Sequence, residues 1–172
     1  MKIKLFNLLI IFCQLACFSD QNHHLDTVKY INLNNFMGDW YVIASIPTFI
    51  EKNIVNAKEN YKIIENSIET TYSYQKEKNG DKKVIKSTAT ILDDSNNSLW
   101  EICFWGPLKS KYMIIHIADD YSNTVVTIPN KKYLWIMSRQ PNMSKVTYSK
   151  IIDKLDSLNF ETDKIKLIPQ KW

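Results

Sequence analysis

Between about Tyr30 and residue 143 the chain alternates short strand-like runs with turn signals roughly every 8 to 14 residues, with no helical period between them. The run SIETTYSYQ sets Ile68, Thr70, Tyr72 and Tyr74 on one face and Ser67, Glu69, Thr71, Ser73 and Gln75 on the other. That is the period-2 pattern of a half-buried strand. KEKNGDKK follows, where Asn79-Gly80 between charges is a strong hairpin signal. VIKSTATIL, LWEICFW, KYMIIHIA, TVVTI and YLWIMSR continue the series, separated by DDSNNS, Gly106-Pro107, DDYSN and PNKK. Parallel strands need a long crossover, usually a helix, so strands punctuated this closely pair antiparallel.

One helix is expected, and it comes late. In SKVTYSKIIDKLDSLNF, Tyr148, Ile151, Ile152, Leu155 and Leu158 form a single apolar stripe, and Ser144 stands where an N-cap belongs. A lone amphipathic helix after eight strands docks its stripe on the outside of the sheet. The tail KIKLIPQKW reads as a short edge strand limited by Pro169. Several strands are moderately apolar on both faces, which a closed barrel explains better than a sandwich: one face looks inward and the helix covers part of the other. The expected fold is all-β, an eight-stranded up-and-down antiparallel barrel with one C-terminal helix outside it and a short final strand. Such a barrel has room for one small ligand, and closure removes its exposed edges.

The first 29 residues have a different plan. MKIKLFNLLIIFCQLAC carries two lysines and then an apolar stretch from Leu5 to Cys17, the layout of a secretory signal and short for a membrane span. Ala16-Cys17 resembles the end of a bacterial lipobox, in which the cysteine is acylated; Gln14 departs from the usual aliphatic residue. Acyl chains on Cys17 would anchor the protein to a membrane, at about 0.8 kcal/mol per buried CH2. The expected division is residues 1–17 as signal, 18–29 as polar tether and 30–172 as barrel. The location that follows is an exported, lipid-anchored protein of the outer membrane, with secretion or a periplasmic protein as the alternative. Cys13 would leave with the signal and Cys17 would carry lipid, so Cys103 has no disulfide partner in the mature domain.

Three short motifs, in order, carry a resemblance. NFMGDWY at 35–41, ADDY at 118–121 and YLWIMSRQP at 133–141, followed by the helix, resemble the lipocalin family, and within it the bacterial outer-membrane lipoproteins and apolipoprotein-D-like proteins. The resemblance spans roughly residues 30 to 170. It implies that Gly38 and Trp40 begin the first strand at the closed base, that Trp40 plugs the base, and that Arg139 stacks on it and bonds the turn before it. It also implies that Asp119, Asp120 and Tyr121 form a base-end turn whose carboxylate caps backbone amides, with either aspartate in that role. These are structural positions. For the ligand, the resemblance points to Tyr112 and Trp135; Tyr72, Tyr74, Trp100, Phe49 and His116 are further candidates by face or by position near the mouth. Alternation within KYMIIHIA groups His116 with Tyr112 and Ile114.

The function expected is binding, storage or transport of a small lipophilic molecule, such as a fatty acid or lysophospholipid, beside the membrane. The net charge of +4 comes from scattered lysines rather than a basic face, which excludes a nucleic-acid partner. There is no phosphate loop, no metal-ligand spacing and no Ser-His-Asp order, so no cofactor, metal or catalytic residue is expected. His23-His24 lacks further ligands and reads as solvated linker. The alternatives are a lipid-modifying enzyme using Cys103, which would need an activating neighbour, and a structural envelope protein with a filled barrel. A homodimer is left open.

Overall fold

A computed structural model describes residues 25–76, 80–92, 96–105 and 108–172. The signal, Cys17, His23-His24, Asn79 and Gly106-Pro107 lie outside the described residues. A short helix α1 (Leu33–Phe36) leads into strands β1 (Gly38–Ile46), β2 (Val55–Ile64), β3 (Ser67–Gln75), β4 (Lys83–Ile91), β5 (Leu99–Trp105), β6 (Leu108–Ile117), β7 (Asn123–Thr127) and β8 (Leu134–Ser138). Helix α2 (Lys145–Ser157), a 3-10 turn (Thr162–Lys164) and strand β9 (Lys166–Leu167) complete the chain. Each strand pairs antiparallel with its successor, and β1 pairs with both β8 and β2, so β1 to β8 close into a barrel.

Closure between β1 and β2 is partial. They pair from Gly38↔Tyr61 to Tyr41↔Lys58 and then diverge. The C-terminal segment fills the gap: β9 pairs with Ala44 and Ser45, and the Gln170 side-chain amide donates to Val42 O (2.8 Å) and Ala57 O (3.2 Å). The expected edge strand therefore lies on the barrel's one open seam and satisfies carbonyls there.

Two apolar clusters lie on the two sides of the sheet. The inner one includes Trp40, Val42, Tyr61, Ile68, Tyr112, Ile114, Val126 and Met137. The outer one joins Ala44, Ile46, Met113, Ile115, Val125, Leu134 and Ile136 to Ile151 and Leu155 of α2. The helix thus docks its predicted stripe on the outside of β1 and β6–β8. Ser144 Oγ accepts from Thr147 N at 3.0 Å and caps its N-terminus. Residues 25–29, read as the end of the tether, also pack on the barrel: Leu25 is buried in the outer cluster, and Val28 N donates to Ile114 O at 2.9 Å.

Candidate functional site

The base is sealed by side chains. Trp40 is fully buried, and its indole N–H donates to Phe36 O at 2.8 Å. The Arg139 guanidinium lies 3.7 Å over the Trp40 ring and donates to Asp39 O (2.7 Å), Asn35 O (2.6 Å) and Phe36 O (3.0 Å). It neutralises carbonyls at the end of α1 that have no partner within the helix. Gly38 sits at φ +90°, where other residues are strained, yet an added Cβ would meet Arg139 Nη1 at an ordinary 3.6 Å. Glycine is required here by the backbone conformation rather than by lack of space.

The ADDY turn divides its labour. Asp120 Oδ1 accepts from Ser122 N at 3.0 Å, and its bonds to Ser122 hold the carboxyl below the usual range. Asp120 is therefore the capping aspartate. The Tyr121 hydroxyl accepts from Asn32 N at 2.8 Å and ties this turn to the start of α1.

Above the plug runs an aromatic column. Phe36 meets Trp40, Tyr61 and Trp100 at centroid distances of 5.2, 5.3 and 5.5 Å. Trp100 stacks on Tyr112 at 5.6 Å, and Tyr112 on Trp135 at 6.2 Å. The Tyr61 and Tyr112 hydroxyls hydrogen-bond each other. Burial changes along this column. Trp40, Phe36, Tyr61 and Trp100 are almost wholly buried, whereas Tyr72, Ile85, Trp135 and Glu59 face inward yet keep accessible surface. The lower half of the barrel is filled by side chains, apart from a cleft at its rim lined by Leu33, Ile63, Ile68 and Ile91, and toward the mouth the inward side chains border an accessible space, the candidate chamber.

Two carboxylates line that chamber. Glu51, on the β1–β2 loop, is 5% exposed and fully engaged. Its Oε1 accepts from Trp135 Nε1 (2.7 Å) and the Tyr72 hydroxyl (2.9 Å), and its Oε2 accepts from Thr48 N (2.8 Å) and Thr48 Oγ1 (2.7 Å). These bonds pin the loop to the barrel mouth. Glu59, on β2, stands cross-strand from Trp40 and Tyr72. Burial raises its carboxyl to about 8, helped by the charge of Glu51 and only partly offset by a hydrogen bond with Thr70. Burial also pushes the Tyr61, Tyr72 and Tyr112 phenols well above their usual range.

The structure brings Tyr72, Tyr74, Tyr112 and Trp135 together in the chamber wall and places Trp100 beneath it as floor, its N–H held by Asn97 O at 2.7 Å. Two other candidates lie elsewhere. Phe49 is 79% exposed on the loop. His116 is separated from the face of Tyr112 and Ile114 by a register shift between Ile114 and His116. Ile114 lies opposite Val126 of the inner cluster, but His116 lies opposite Val125 of the outer one. Its ring meets Asn123 Oδ1 (3.0 Å) and Lys154 Nζ of α2 (3.4 Å), and desolvation with that lysine lowers its pKa. Cys103 alternates with the inward Ile102 and so faces out, paired in the sheet with Thr88 and Lys109.

Sequence reasoning missed Glu51 and Glu59. The available signal for Glu59 was the alternation Ala57, Glu59, Tyr61, hidden by the polar run Lys58-Glu59-Asn60. Glu51 sits in a loop whose sequence carries no mark of where it folds.

A profile described as a lipocalin-like domain matches residues 31–170. The chain is 25% identical over 146 residues to outer membrane lipoprotein Blc of Vibrio cholerae, covering 84% of this chain and 85% of that protein. It is 27% identical over 163 residues to temperature-induced lipocalin-1 of Arabidopsis thaliana, covering 87% and 85%. Among solved structures, insecticyanin from the tobacco hornworm Manduca sexta superposes with a TM-score of 0.67 at 19% identity, covering 84% of this chain and 83% of that one.

Proposed function

The chain belongs to the lipocalin family, and from that premise we propose that its chamber binds a small lipophilic molecule, of fatty-acid or lysophospholipid size, beside a membrane. The observation that carries this reading is the change in burial along the barrel axis. Tyr72, Ile85 and Trp135 toward the mouth keep accessible surface, while Trp40, Phe36, Tyr61 and Trp100 toward the base are sealed. Transfer of an alkyl chain into such a preformed pocket contributes about 25 cal/mol per Å² of apolar surface removed from water. The N-terminal sequence supports an export signal and an acyl anchor on Cys17, which would hold the barrel at the outer membrane from which such ligands partition. Similarity to outer membrane lipoproteins agrees with that location.

Delipidated protein titrated with a fluorescent lysophospholipid, fatty acid and alkyl alcohol should show saturable binding. Cys103→Ser should bind equally well, since the thiol faces out. Failure of all three ligands to bind would overturn the reading. For the anchor, Cys17→Ala should release the protein from membranes; retention would refute acylation at that residue.

A further inference from the structure

The turns at the two ends of the barrel carry opposite charge. At the base, the described turn residues 65–66, 96–98 and 118–122 hold Glu65, Asp119 and Asp120 and no lysine or arginine. At the mouth, Lys52 of the β1–β2 loop, Lys76 and Lys82 of the β3–β4 loop and Lys132 of the β7–β8 loop are all exposed, and Lys83 joins them at the start of β4. The acidic residues described in these mouth loops are Asp81 and Glu51, and Glu51 is turned inward onto Trp135 and Tyr72. The 3-10 turn that precedes β9 does not reverse the sign, since Glu161 and Asp163 there stand beside Lys164 and Lys166. These lysines are scattered along the sequence; the up-and-down topology returns every second turn to the same end and gathers them into one rim.

A second observation is an aromatic ring presented outward from this rim. Phe49 is 79% exposed, and Val84, next to Lys83, is 52% exposed. The backbone on both sides of Phe49 is fixed: Glu51 Oε2 accepts from Thr48 N at 2.8 Å, and Glu51 N donates to Thr48 O at 3.2 Å. The loop therefore holds its ring in water by construction, at the cost of leaving apolar surface uncovered.

We propose that this rim is a docking surface for a lipid bilayer with anionic headgroups, with Phe49 entering the interface, the surrounding lysines meeting headgroup phosphates, and the open end of the barrel facing the membrane. A lysine near an anionic membrane surface contributes about 1 kcal/mol, and aromatic rings favour the headgroup level. Phe49 and Val84 are single side chains on separate elements among lysines. A protein partner needs a continuous patch, whereas a fluid interface takes up single side chains. The inference goes beyond the chamber reading and stands without a bound ligand. The N-terminal segment permits this orientation. Leu25 packs on the outer wall, and Val28 N bonds Ile114 O, six residues along β6 from Leu108 at the mouth, about 20 Å of strand. The eight residues from Cys17 to Leu25 reach up to about 26 Å, so an acyl anchor and the rim can engage one membrane together.

The test mixes full-length Cys17→Ala, which lacks the acyl anchor, with vesicles of phosphatidylcholine alone or with one-third phosphatidylglycerol, and reads partition by sedimentation. Partition onto the anionic vesicles should exceed that onto the neutral ones by about 100-fold at about 0.1 M salt and by under about threefold at 1 M, where screening is complete within about 3 Å. A salt wash thus separates this contact from acyl anchoring. Lys82→Gln with Lys132→Gln should lower anionic partition by about 25-fold, and Phe49→Ser by about tenfold. Glu65→Gln at the base should change it by under about twofold. Amide exchange of the unmutated full-length protein on anionic vesicles should slow across residues 48–53 and 80–84 and stay unchanged across 65–67 and 119–122. Equal partition onto both vesicles, an anionic preference untouched by the lysine pair, or protection at the base overturns the docking surface. The variants should bind n-dodecanol in solution like the parent; a parent that docks but binds no alcohol would overturn the chamber reading alone.

Discussion

At the base of the barrel, Trp40 is sealed from solvent, its N–H is held by a backbone carbonyl, and a guanidinium covers its ring. At the other end, Trp135 keeps accessible surface, its N–H is held by a carboxylate, and its ring stacks on Tyr112. Both indoles satisfy their donor, yet the partner differs in kind. A carbonyl of α1 is part of the scaffold and goes wherever the scaffold goes. Glu51 belongs to a loop, so the same hydrogen bond at the mouth ties that loop to the wall. The residue type is shared; rigidity at one end and access at the other come from what surrounds it.

The largest expected effect tests the rigid end. Trp40→Ala removes a buried indole that touches Phe36 and Arg139, and large aromatic truncations in a core cost about 3–5 kcal/mol. Denaturant unfolding should show that loss, while the folded fraction should bind ligand with affinity close to the parent's. Binding lost in protein that remains folded would mean that Trp40 is part of the ligand site, and the contrast between the ends would fail.

Arg139→Lys is the next step down. It keeps the charge but loses the planar fork that reaches Asp39, Asn35 and Phe36 while lying on the indole. A loss of about 1–3 kcal/mol in unfolding free energy is expected. A loss under about 0.5 kcal/mol would show that a point charge suffices.

The base was largely legible because its motifs combine a φ-restricted glycine, a large plug and a long cation, each marked by residue type. The strands were legible because period 2 is a local property of the chain. Parity breaks are not. The register shift before His116 leaves no trace in KYMIIHIA, and it turns the imidazole from the expected chamber wall to the helix side. Glu59 was hidden for a related reason: a carboxylate within a lysine- and asparagine-rich strand looks like an outer face until the strand's partners are known. Glu51 depends on contacts with Tyr72 and Trp135, residues 21 and 84 positions away, and no local pattern encodes those.

A pH series sharpens the comparison at the open end. Glu59 titrates near 8 when folded and near 4.5 when unfolded. Between these values the native state holds a proton that the unfolded chain has released, so unfolding free energy falls as pH rises through that window. Thr70, Tyr61, Tyr72, Tyr112 and Glu51 are the groups that bear on this carboxyl. Water reaching the chamber moderates the effect, leaving about 1–2 kcal/mol between pH 5 and 8. Glu59→Gln should flatten that slope in denaturant midpoints at pH 5, 6.5 and 8. An equal slope in both proteins would remove Glu59 as its source.

The smallest stability effect carries the sharpest contrast. Trp135→Phe keeps a ring in the column but removes the N–H that reaches Glu51. Three donors remain on that carboxylate, the Tyr72 hydroxyl and both groups of Thr48, so the loop stays pinned and unfolding free energy should drop by about 1 kcal/mol. The smaller ring also withdraws surface from the chamber, and alkyl-alcohol affinity should fall by about tenfold. Trp40→Phe makes the same chemical change at the base, where the lost N–H leaves Phe36 O with Arg139 alone, and it should move stability more than affinity. If the two Trp→Phe variants shift stability and affinity in the same ratio, the barrel has no division between a structural end and a binding end. A high affinity-to-stability ratio at Trp135 alone locates ligand contact above the aromatic floor.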